Sequence, residues 1–253
     1  MSRPAPTLRS VGALVAHDLR LTARRGENVL VTIVIPIAVL LFFAGTSVIP
    51  NARGRPVDFL LPGAIALGII ASGLVNLGIA TAYERSYGVL KRLGGAPLPR
   101  WALIVAKGTS VLVLELVQIT ALLAVGVVIL GWSPGSGWSP LLFGAAVLLG
   151  TATFVGLGLL LAGTLRAEAT LALANGLFLG FLMLGGIVLP IDHLPDAVRP
   201  IAALLPATAL ADLLRISLAS GAPATASAAT SAAILAAWAI GAAILTVRTF
   251  RWE

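Results

Sequence analysis

Six stretches of this chain, at about 29 to 49, 60 to 82, 108 to 130, 141 to 164, 170 to 190 and 226 to 247, are uncharged or nearly so and long enough to cross a bilayer. A spanning helix needs roughly 20 apolar residues in a row, because in hydrocarbon only the helix itself can satisfy its backbone N–H and C=O groups. Such runs fill about half of the 253 residues, and no soluble core has room for them. Charged residues make up 11% of the chain, against about 25% in an average soluble domain. The sequence therefore predicts an all-α integral membrane protein with six transmembrane helices, forming a single domain over 1–253.

Orientation follows from the short segments between spans. Segments 1–28, 83–107, 165–169 and 248–253 hold 13 Lys and Arg, whereas 50–59, 131–140 and 191–225 hold four. Positive charge collects on the cytoplasmic side, so both termini are expected in the cytoplasm. The same rule absorbs the net charge of +7, and nucleic-acid binding is not expected. The first apolar run starts after Arg24, Arg25 and Glu27 and is too long for a signal-peptide core, so it reads as a retained span.

Three segments outside the spans carry their own pattern. Over residues 8–22, Leu8, Val11, Val15, Leu19 and Thr22 share one helical face while Arg9, His17, Arg20 and Arg24 share another. This marks an amphipathic helix lying in the membrane interface within 1–28. A short cytoplasmic helix is expected over 83–93, stopped by Gly94-Gly95 and the prolines at 97 and 99, with Leu90 and Leu93 presented on one side to the cytoplasm. Between 191 and 223, Pro195, Pro200, Pro206 and Pro223 divide an apolar stretch into two pieces too short to span, which reads as a re-entrant segment dipping into the outer leaflet.

The chemistry is mostly negative. A phosphate-binding loop needs Gly before its Lys, and the two lysines, Lys91 and Lys107, follow Leu90 and Ala106. Gly156-x-Gly158 lies inside a span and lacks the strand and acid of a dinucleotide site. There is no cysteine, and His17 and His193 are far apart, so no catalytic residue, metal site or bound cofactor is expected in this chain. Inside the spans, Glu115 is the clear ionisable group, and an intramembrane carboxylate marks a functional site by default. It shares a helical face with Gln118. The pair either contacts a cationic or amphiphilic substrate, with Asn76 as a third polar group on the path, or hydrogen-bonds a neighbouring helix at Asn76 or Asn175. Pro36 is expected to kink the first span and Gly176-x-x-x-Gly180 to permit close packing of the fifth.

In the 83–107 loop stand Glu84-Arg85, Gly88, Leu90, Arg92-Leu93 and Pro97-Leu98, with Lys107 after them. Further on come Gly186-Ile187-Val188-Leu189-Pro190, Leu194-Pro195, Leu204-Leu205-Pro206 and Asp212 to Arg215. This order resembles the type 2 ATP-binding-cassette (ABC) permeases, the membrane subunits of exporters for drugs, antibiotics, lipids and polysaccharides. The 88–93 block is most similar to actinobacterial exporters of the daunorubicin-resistance kind. Ser86 and Lys91 stand where many members have acids, and Gly185 where a serine is common.

The resemblance implies a bacterial plasma-membrane exporter built from two permease chains, either identical or sisters. Two copies of an ABC ATP-binding subunit would hold ATP and magnesium. It also implies that the 83–93 helix couples to that ATPase through Glu84, Arg85, Gly88, Leu90, Arg92 and Leu93. A hydrophobic small molecule or membrane lipid would move along the permease interface, and the re-entrant pair would close its outer end. Two other classes compete. A proton-coupled carrier would titrate Glu115, but 29–130 and 141–247 show no repeat. A lipid-modifying enzyme would need the surface cluster Asp192, His193 and Asp196.

The charge asymmetry predicts that single cysteines placed at Ser10 and Ser86 are shielded from impermeant thiol reagents in intact cells, while one at Ser136 is labelled. Labelling of Ser86 from outside would overturn the six-span topology.

Overall fold

The computed structural model describes residues 7–24, 26–45, 55–94 and 100–250. Every regular element among them is helical. Helix α1 covers Thr7–Arg24, α2 Gly26–Ala44 and α3 Pro56–Ile70. The last runs without a break through a π-helical segment, Ala71–Asn76, into α4, Leu77–Ser86. Then follow α5 (Val89–Gly94), α6 (Arg100–Val128), α7 (Pro140–Thr164) and α8 (Ala167–Leu184). A 3-10 turn at Ile191–His193, α9 (Arg199–Ala203), α10 (Pro206–Ser217) and α11 (Ala228–Thr249) complete the chain. Among the described residues, five helices are long and apolar enough to cross a membrane: Pro56–Ser86, Trp101–Val128, Pro140–Thr164, Ala167–Leu184 and Ala228–Thr249. Within α2, Ile33–Ala44 is a shorter apolar helix containing Pro36.

Local chemistry sets the helix starts. Pro56 opens α3 with its missing N–H at an end that needs none, and the Arg55 N–H donates to the Asp58 carboxylate at 3.2 Å. The Arg55 guanidinium donates to the carbonyls of Leu130 and Gly131, tying this start to the end of α6. Ser139 and Ser227 cap α7 and α11 by accepting from the N–H groups of Leu142 and Thr230.

The core centres on α3, which is buried almost all round. It is packed against α2, α6, α7 and α10, and α7 is in turn covered by α11 and α4. Lipid is as apolar as Leu, so helices in a membrane associate by close van der Waals contact and hydrogen bonds, and small residues set how near they come. A Cβ on Gly158 of α7 would lie 2.3 Å from the Gly73 carbonyl oxygen in the π segment. One on Gly156 would meet the Ala242 Cβ of α11 at 3.0 Å. The two glycines of Gly156-x-Gly158 thus let α7 lie directly between span two and the last span. Thr246 strengthens the second contact by donating to the Gly156 carbonyl at 3.2 Å.

Four expectations are corrected. The helix expected over 83–93 is two helices, because Tyr87 and Gly88 form a turn in which Gly88 takes φ +70°. Leu90 is not presented to the cytoplasm: it is 1% exposed, since the turn folds α5 back onto α4. The 191–223 segment holds three short elements, not two. Gly176 and Gly180 have no heavy atom of the described residues within 4 Å of an added Cβ, so they support no packing among those residues.

The contact at Gly158 is testable. Gly158→Ala pushes a methyl into the Gly73 backbone and is expected to destabilise by about 1–3 kcal/mol, read as a lowered thermal midpoint in detergent. Gly176→Ala, which meets open space, should leave the midpoint of the isolated chain unchanged.

Candidate functional site

At the end of the bundle holding α4, α5 and the start of α6, the polar residues are used first within the chain. Glu84 accepts from the Lys107 ammonium at 2.7 Å, and the lysine is buried. Asp18 of α1 joins this group: burial pushes its carboxyl up, the Lys107 charge opposes that, and Glu84 adds to it. Arg85 donates through Nη2 to the Leu165 carbonyl in the α7–α8 turn. Glu84 and Arg85 therefore lock the foot of α4 to α6 and to α7. What the turn exposes is different. The Tyr87 ring, stacked on Tyr83 at 6.0 Å between centroids, is 73% exposed, and Val89 and Lys91 are exposed beside it. The side chains of Arg92 and Leu93, and residues Pro97 and Leu98, lie outside the described residues.

Tyr87 and Val89 were missed by sequence reasoning. The Leu90–Leu93 spacing suggested an outward apolar pair only if the helix was continuous, and the left-handed Gly88 rotates α5 so that Leu90 points inward. The signal was Gly88 itself, in the middle of a helix whose other residues gave no reason for it.

In the interior, Glu115 and Gln118 are brought together as expected, both fully buried on α6. Glu115 Oε2 accepts from the Thr151 hydroxyl of α7, and its Oε1 has no hydrogen-bond partner among the described residues. The Gln118 amide fits against Gly68 of α3, where an added Cβ would lie 2.3 Å from Nε2. Asn76 is exposed, unlike the other two. Asn175 is exposed too and donates back to its own helix at the Leu171 carbonyl, so the interhelical partner of Glu115 is Thr151.

At the opposite end of the bundle a second buried charge pair appears. Arg215 of α10 lies 3.4 Å from Asp212 Oδ1, donates through Nη2 to the Gly186 carbonyl just after α8, and stacks over the Phe59 ring of α3 at 3.9 Å. Asp212 Oδ2 accepts the N–H groups of Thr225 and Ala226 at 3.0 and 3.2 Å, fixing the lead into α11. One ion pair thus joins α3, α8, α10 and α11. Its sequence signal was Asp-x-x-Arg inside an apolar, proline-flanked segment, one turn apart on the same face.

Asp196 is paired with Arg199 at 2.8 Å, and Arg199 also donates to the Asp192 and Leu194 carbonyls at 2.7 and 2.9 Å. The residues of the proposed surface catalytic cluster are thus parts of an arginine-pinned turn. No group of three or more His, Asp or Glu is close enough to hold a metal ion among the described residues.

The described helices thus form a multi-pass bundle with buried polar pairs at both ends and a helix broken at one of them. The family model for the ABC-2 type transporter matches residues 9–219, and the chain belongs to that family. No curated protein matches the sequence.

Replacing Arg215 with Leu leaves Asp212 buried without its countercharge and the Gly186 carbonyl without its donor. Breaking a buried pair on one side costs about 3–5 kcal/mol. The variant is expected to insert but to lose most of its thermal stability, while Arg199→Leu at the exposed turn should change the midpoint little.

Proposed function

We propose that the chain is the permease subunit of an ABC exporter that carries a hydrophobic or amphiphilic molecule out of the cell, driven by a separate ATP-binding subunit. Two permease chains and two ATP-binding subunits make the working assembly, and the end bearing Glu84, Lys107 and the Tyr87–Gly88 turn faces the cytoplasm. The observation that carries this reading is that turn. It presents an aromatic ring and Val89 to solvent beside Lys91, on a base locked to α6 and α7 by Lys107–Glu84 and Arg85–Leu165. An exposed apolar patch rimmed by charge marks a protein contact.

The broken helix suits force transmission. A push on Tyr87 and Val89 passes into α4 and, because Pro56–Ser86 is one continuous helix of 31 residues, along the whole bundle to Phe59 and Arg215. On this reading Glu84, Arg85, Gly88 and Leu90 build and hold the coupling turn, and Tyr87 and Val89 touch the ATPase. Glu115 and Gln118 form the polar centre of the substrate path.

The test is co-purification of the tagged permease with its ATP-binding subunit from native membrane, with ATPase activity as a second readout. Tyr87→Ala combined with Val89→Asp is expected to leave insertion and thermal midpoint intact and to lose at least 90% of the associated ATPase. Normal association and transport by that double variant would overturn the coupling assignment. Absence of any ATP-binding subunit in the wild-type preparation would overturn the exporter reading.

A further inference from the structure

Helices α6 and α7 leave an open furrow between them of about 230 Å³. Its walls include Val105, Gly108 and Leu112 on α6 and Leu148, Thr151 and Ala152 on α7. On each helix these residues follow helical spacing, so the furrow runs along both axes for roughly 10 Å at 1.5 Å per residue. It stays open because Gly108 and Ala152 have almost no side chain. Val105 and Leu148 are exposed on its rims, so in a membrane it opens sideways to lipid. Its level runs from near Lys107, at the end of the bundle with the coupling turn, toward the middle of the span.

One wall is polar for a reason. The Thr151 hydroxyl is shared between the Val147 carbonyl, at 2.8 Å, and the Glu115 carboxylate behind it. Glu115 is fully buried, and its second oxygen has no hydrogen-bond partner among the described residues. Nearly all buried polar atoms find partners, and an acceptor left without a donor costs free energy. The nearest lysine along the helix, Lys107, is eight residues away and held by Glu84. The furrow is therefore an apolar slot with a carboxylate one hydrogen bond behind its wall, and that carboxylate is short of a donor.

We propose that this furrow binds a compact apolar amine taken laterally from the lipid phase, its ammonium on the Thr151 hydroxyl in front of the Glu115 carboxylate and its apolar body between Val105, Leu112 and Leu148. A lipid acyl chain would fit the same walls but brings no donor for the carboxylate. The volume lies just under the roughly 300 Å³ at which drug-sized pockets begin, which suits a single fused ring system and not a long chain. The binding stands on this geometry alone. Its use as a loading site for export rests on the function proposed above.

The full-length chain in lipid nanodiscs, without any ATPase, is photolabelled with an adamantyl diazirine carrying an amine and with the same cage lacking it, and labelled peptides are located by mass spectrometry. The amine probe is expected to label the 105–112 and 148–155 segments at about one-tenth of the concentration that the plain cage requires. Glu115→Gln should abolish that tenfold preference. Gly108→Leu should remove labelling by both probes; an added Cβ there meets only Val155 Cγ1, at 3.9 Å, so the larger side chain fills the slot without moving backbone. Equal labelling by the two cages means a lipid-like furrow and overturns the proposal, as does an amine preference that survives Glu115→Gln. Either failure leaves the exporter reading standing, because no ATPase takes part. Loss of the ATP-binding partner in the pull-down would leave amine binding standing.

Discussion

The backbone contact between Gly73 and Gly158 holds the rest of the bundle in place. In hydrocarbon there is no hydrophobic force to drive two apolar helices together, so a close crossing has to be built from atoms that touch. Here the π segment of span two and the C-terminal half of α7 touch through main chain, with no side chain between them. A π segment is a local widening of the helix, found often where a functional helix must be re-aimed. In this chain it lies at that crossing and separates α3, which faces α2, α6 and α10, from α4, which faces α7 and α8. Because Gly156 lets the Ala242 Cβ of α11 approach on the other side, α7 is held between two spans.

The polar residues then fix the two ends of this frame. Lys107–Glu84 and Arg85–Leu165 clamp the end with the Tyr87–Gly88 turn, and Arg215 with Asp212, Gly186 and Phe59 clamps the other. Each clamp links elements distant in sequence. Buried charges of this kind contribute little net stability against an apolar replacement, but they are costly to break and so make one arrangement of helices far better than its neighbours. Glu115 differs from both clamps in its partner, which is the neutral Thr151 hydroxyl in place of an opposite charge.

The helical class was legible because period and length are local properties. The runs near 108–130 and 141–164 could be nothing but spans, and the structure has helices at Trp101–Val128 and Pro140–Thr164. Glu115 and Gln118 were legible for the same reason: a charge within an apolar run stands out whatever surrounds it. The Leu90 face was misread because the direction of a side chain beyond a break depends on one φ angle at Gly88, which alternation of residue types does not encode. Gly176-x-x-x-Gly180 meets open space among the described residues, because a small-residue stripe says that a helix can approach, and not whether one does.

The sequence by itself determined that the chain is an all-helical membrane protein, and roughly where its spans lie, because those follow from the cost of bare backbone in lipid and need only neighbouring residues. Its order of elements also carried the family resemblance. The tertiary structure alone decided which helices meet and what each buried polar group faces: Thr151 for Glu115, Lys107 for Glu84, and Gly186, Phe59 and Asp212 for Arg215. Except for Asp212, these partners lie 23 to 156 residues away along the chain. No local pattern specifies such pairs, since they depend on how near two backbones come, and here that is set by a few glycines.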